Sequence, residues 1–160
     1  MKNFTRFTLI LSLCVAFGAC KKSKDDPQPQ ETAVVHGKVY NKAFTMVTGR
    51  AKTDVSYYNV ERVVVNLSAN SSFNCASAET GTYSVYFRVP KKVGVYTQTS
   101  DDIWLGFDDS TSDASVGFVS ADCRVEIQSI SNGRVSGKIS FSDDTSKSSV
   151  SGTFDVPYCQ

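Results

Sequence analysis

One histidine, His36, is present in the chain, and any serine- or cysteine-nucleophile chemistry would have to use it as the base. It lies in an alternating stretch beside Gly37, without a nucleophile-elbow motif, and reads as a strand histidine. Zinc would need more imidazole and thiolate ligands than remain available. Acidic residues cluster as Asp101-Asp102, Asp108-Asp109 with Asp113, and Asp143-Asp144. Calcium prefers such oxygen ligands, but none of the clusters has the EF-hand spacing, so they read as solvated turn acids. No metal or other cofactor is expected, and no catalytic residue is assigned. The remaining chemistry is aromatic: Tyr57, Tyr58, Tyr86, Tyr96 and Trp104 are candidates to point outward and stack on sugar rings or meet a protein. Tyr86 and Trp104 are the sharpest candidates, because each has parity opposite to its apolar neighbours, Val85/Phe87 and Ile103/Leu105/Phe107. The competing reading is that a second sheet covers this face.

The N-terminus positions the whole chain. Lys2 and Arg6 supply a positive n-region, Phe7 to Phe17 an apolar core too short to span a bilayer, and Gly18-Ala19 two small residues before Cys20. Phe17-Gly18-Ala19-Cys20 resembles a lipobox, although Phe17 replaces the usual aliphatic residue. Residues 1–19 are read as a lipoprotein signal peptide forming a signal helix. Cys20 becomes the lipidated residue, anchored by acyl chains at ~0.8 kcal/mol per buried methylene. Residues 20–32 hold Pro27 and Pro29 among charges and form a flexible tether. Lys24-Asp25-Asp26 resembles a Lys-acidic-acidic surface-export signal.

Cleavage leaves 15 basic against 16 acidic residues, which gives no electrostatic reason to expect nucleic-acid binding. It also leaves Cys75, Cys123 and Cys159 for the fold. Cys123 shares the apolar parity of Val125 and Ile127 and reads as a small buried hydrophobe. Cys75, in a loop, and Cys159, at the end of the last strand, are therefore the expected disulfide in an exported chain.

From Ala33 to Gln160 the pattern has period two, with turn residues at short intervals. We expect 33–160 to form one all-β domain of about 8–10 strands. An antiparallel β-sandwich is preferred, with a small closed β-barrel as the alternative. Val34 to Tyr40 opens it, and Asn41-Lys42 is the expected turn into a strand over 43–51. Val60 to Ser68 reads as a central strand covered on both faces. Tyr83 to Val89 alternates up to Pro90, 95–97 and 103–107 are short strands, and Asp108 to Asp113 reads as loop. Ser131-Asn132-Gly133 is a hairpin turn within a meander that ends on Val150, Phe154 and Val156. Gly137 and Gly152 fall on the apolar parity, where close backbone approach or a bulge is expected.

The segments Gly37-Lys38-Val39-Tyr40-Asn41-Lys42-Ala43-Phe44-Thr45, Val135-Ser136-Gly137-Lys138-Ile139 and Ser151-Gly152-Thr153-Phe154-Asp155-Val156-Pro157-Tyr158-Cys159 resemble small uncharacterised Bacteroidota-type lipoproteins. The resemblance implies an all-β domain on a lipidated tether and no assigned activity. The resulting expectation is a non-catalytic lipoprotein of the outer membrane, held by its lipid anchor, with an envelope structural or binding role toward an envelope protein or glycan. The alternative is a surface glycan-binding protein using Tyr86 and Trp104.

Overall fold

The computed structural model describes residues 33–55, 60–77, 83–98, 103–109, 114–118 and 122–160, with backbone alone for Asp109 and for 114–118. Cys20, Tyr57, Tyr58, Asp101, Asp102, Asp113 and the signal helix lie outside the described residues. Eleven strands are described, all in one strongly curled sheet, with no helix among the described residues. They are β1 (His36–Val39), β2 (Lys42–Thr45), β3 (Thr48–Asp54), β4 (Arg62–Ser68), β5 (Ser84–Pro90), β6 (Gly94–Thr97), β7 (Trp104–Asp109), β8 (Ala114–Phe118), β9 (Arg124–Ser131), β10 (Arg134–Asp143) and β11 (Ser148–Cys159).

The order is β6-β9-β10-β11-β3-β4-β5-β7-β8, with β1 beside β11 and β2 beside β1. Every pairing between these strands is antiparallel except β11 with β3, a short parallel seam in which Tyr158 meets Ala51 and Cys159 meets Lys52. One apolar core joins both ends of the curl. Val63, Val65, Val85 and Phe87 from one end share it with Val125, Val135, Phe154 and Val156 from the other. Ring pairs cross it, Phe87 to Phe154 edge-on at 5.4 Å and Phe107 to Phe141 tilted at 5.0 Å between centroids.

Local chemistry explains the tightest turns. Asn132 and Gly133, both at positive φ, connect β9 to β10 as the sequence predicts. The first hairpin turns one residue earlier than expected. Tyr40 and Asn41 take φ of 49° and 61°, and Lys42 already pairs with Val39. Contacts from outside the hairpin hold this unusual tyrosine conformation. Its amide donates to Ser148 Oγ at 2.9 Å, and the Asn41 amide donates to the Lys147 carbonyl at 3.0 Å.

Three expectations need correction. The strand over 43–51 is two strands, broken where Met46 and Val47 turn their amides to Val35 and Ser68. Asp108 and Asp109, expected in a loop, are the last two residues of β7, and β8 adds a strand at 114–118, where a short run of small residues and Gly117 gives little β signature. Together these raise the count to eleven. β4 is central, but Val64 and Asn66 on its outer face are only half-buried, while Val63, Val65 and Leu67 are fully buried. Gly137 lies at a register shift between β9 and β10, where a side chain would run into the Glu126 carbonyl. Gly152, at φ +137°, lies against the Ala33 and Val34 carbonyls.

Candidate functional site

The strongest candidate lies on the outer face of β3, β4, β5 and β7. Alternation along β5 buries Val85, Phe87 and Val89 in the core and turns Tyr86 and Arg88 outward, both half-buried. Antiparallel register brings Trp104 directly opposite Arg88, and Gly106 opposite Tyr86. The Tyr86 and Trp104 rings meet at 4.8 Å between centroids with a 52° tilt. A Cβ on Gly106 would collide with the Tyr86 ring, so glycine is what lets this tyrosine lie down on the sheet. Arg88 completes the group. Its guanidinium carbon stands 5.8 Å from the Trp104 ring centroid, and its Nη1 pairs with Asp54 Oδ2 at 3.2 Å. The result is an aromatic platform with a charged, hydrogen-bonding rim.

Next to it, the same face is covered. Arg50 shares its row with Asn66 and Tyr86, yet it is completely buried. Its Nη1 donates to the carbonyls of Asn74, Cys75 and Ser77 at 3.1, 3.3 and 2.5 Å, and its guanidinium stacks on Phe73 at 4.6 Å. One cation thus ties loop 70–77 to the sheet and holds Cys75 in place. The structure joins Cys75 to Cys159, with Cα atoms 5.6 Å apart. Cys123 is a free, buried thiol, and burial pushes its pKa up to about 12, so it is chemically quiet.

The other sequence candidates separate. Tyr96 was an outward candidate, but the structure buries it at 6% exposure, its hydroxyl donating to the Lys92 carbonyl at 2.6 Å. The cause is the pairing of β6 with β9, which turns Tyr96 inward opposite Val125. His36 is exposed on β1, and its Nδ1 donates to the Val34 carbonyl at 2.9 Å. Asp143 serves its own turn, accepting the Thr145 and Ser146 amides, and the Ser146 contact holds its carboxyl below the usual range. Among the described residues, no three His, Cys, Asp or Glu side chains come together as metal ligands.

Sequence reasoning missed Arg88, Asp54, Gly106 and Arg50. Arg88 was legible, since it shares the outward parity of Tyr86. The burial of Arg50 carried no local signal, because the loop that covers it lies more than twenty residues away. No family model, curated protein or solved structure matches this chain. The functional reading therefore rests on the residues themselves.

Proposed function

We propose that the chain is an exported lipoprotein, held at the outer membrane by lipid on Cys20, whose all-β domain binds a partner rather than catalysing a reaction. The signal at 1–19 and the tether at 20–32 motivate the anchor. The Cys75–Cys159 bond supports export, because disulfides persist in oxidising compartments. The resemblance to small lipoproteins points the same way. Labelled palmitate should enter the wild-type chain, and Cys20→Ser should abolish labelling and release the protein from membranes. Incorporation into the Cys20→Ser variant would overturn the anchor. Hydrolytic turnover lost on His36→Ala would overturn the non-catalytic reading.

We read the curled sheet as a sandwich open along one side. Its two ends pack face to face through Phe87, Phe154, Phe107 and Phe141, and the strand path runs from β6 to β8 with no pairing between them among the described residues. A closed barrel would require that pairing.

A second reading, glycan binding, is favoured by one observation: Tyr86 and Trp104 share an outward platform fixed by Gly106 and Arg88. Aromatic faces offer sugars apolar stacking, and the Arg88–Asp54 pair offers hydrogen bonds to ring hydroxyls. Glycan-array binding should fall at least tenfold in Trp104→Ala at unchanged thermal stability. Binding that survives this substitution would remove the platform from consideration.

A further inference from the structure

A different region, on the outer face of β1, β11, β10 and β9, carries a site of its own. Register places His36, Ser151, Ser140 and Arg124 in one row across four adjacent strands. The neighbouring rows place Lys38 opposite Ser149, and Lys138 between Thr153 and Glu126. Strands spaced ~4.8 Å apart, with same-face residues ~6.8 Å apart along each strand, put Lys38, Lys138 and Arg124 around the serine hydroxyls on three sides. Lys38, Arg124, Ser140 and Ser149 are exposed, and Lys138 is half-buried. Of the nearby acids, Asp155 is paired with Arg134 at 2.8 Å, while Glu126, opposite Lys138, accepts from the neutral Gln128 amide at 2.9 Å and keeps its charge. On this face lies a depression of about 240 Å³ lined by His36, Ser140, Ser149 and Ser151 together with Gly37, Phe141 and Val150; Lys38, Lys138 and Arg124 stand on neighbouring register positions outside the lining.

We infer that this depression binds the phosphate group of a small phosphorylated ligand. The lining offers three serine hydroxyls as donors, and the register puts three cations on flanking positions from which their long side chains can reach a tetrahedral oxyanion. The volume suits one charged group and its immediate substituent rather than a larger ligand. Lysine and arginine on an open face are screened by solvent, so the affinity belongs in the millimolar range and weakens with salt. The inference does not rest on the Tyr86–Trp104 platform, which lies on other strands.

Titration of the full domain with inorganic phosphate, and with glucose 6-phosphate, followed by amide chemical shifts, tests it. Saturable shifts are expected at 36–38, 138–140 and 149–151, stronger for phosphate than for chloride at equal ionic strength. The double variant Lys138→Gln/Arg124→Gln should weaken binding at least tenfold. Arg134→Gln, on the same face but paired with Asp155, should leave it unchanged. Thermal melts of each variant confirm the fold, and Ser140→Val, which suits an exposed strand, provides a second route to loss of binding. Shifts no larger than those from chloride, or retained in both the double variant and Ser140→Val, would overturn the inference. Binding to phosphatidylglycerol vesicles without binding to either soluble phosphate would overturn it equally, in favour of a membrane surface.

Discussion

Two side chains illustrate how burial sets chemistry in this protein. Arg50 is a cation with no exposed surface, and it remains tolerable because three carbonyls and the Phe73 ring replace its water. Arg50→Met keeps the length and apolar stem but leaves those carbonyls without this donor. It should cost about 1–3 kcal/mol in urea unfolding. Cys123 shows the opposite response, because a buried thiol stays neutral. With its pKa raised to about 12, the native state keeps a proton that the unfolded thiol releases near pH 8.5. Stability therefore falls as pH rises between those values, by at most ~1.4 kcal/mol per pH unit. The difference between wild type and Cys123→Ala, measured from pH 8 to 11, should show that slope, with the alanine variant losing less. Equal slopes would mean that Cys123 does not titrate differently on folding.

At the scale of elements, the β9–β10–β11 meander holds the longest ladder described, ten residue pairs between β10 and β11, and Gly137 is its sensitive point. A methyl there meets the Glu126 carbonyl and the Phe154 ring. Gly137→Ala should cost about 2–3 kcal/mol by thermal or urea melts. Gly133→Ala, with open space around it, pays only for its left-handed conformation, about 1 kcal/mol. This meander was also the most legible stretch, since Val125/Ile127, Ile139/Phe141 and Phe154/Val156 alternate cleanly around an Asn-Gly turn. β8 was not legible, because Ala114 to Phe118 lacks the β-branched density that marks a strand. Parity located the outward placement of Tyr86 and Trp104. It could not locate their contact, which depends on the pairing of β5 with β7. Nor could it reveal the burial of Arg50, which depends on where loop 70–77 comes to rest.

At the scale of the molecule, the curl depends on a narrow seam. β11 reaches β3 through two residue pairs only, and the disulfide ties the end of β11 to loop 70–77, which Arg50 in turn holds to β3. The bond closes a separation of 84 residues, for which the chain-entropy model gives about 4.5 kcal/mol. Cys159→Ala should lower stability by up to that amount in non-reducing urea melts. Dithiothreitol should destabilise the wild type and leave the variant unaffected. No loss on reduction would mean that Arg50 and the ladder hold the seam unaided.

The pairing of β1 with β11 bears on when folding can begin. His36 meets Ser151 and Lys38 meets Ser149, so the first strand finds its place only after the last strand is present. Contacts this distant in sequence slow the search for the native state, typically to milliseconds or longer. A chain that crosses a membrane in extended form, as a signal at Cys20 would require, gains from that delay. It cannot complete its sheet while its C-terminal strand is still on the other side.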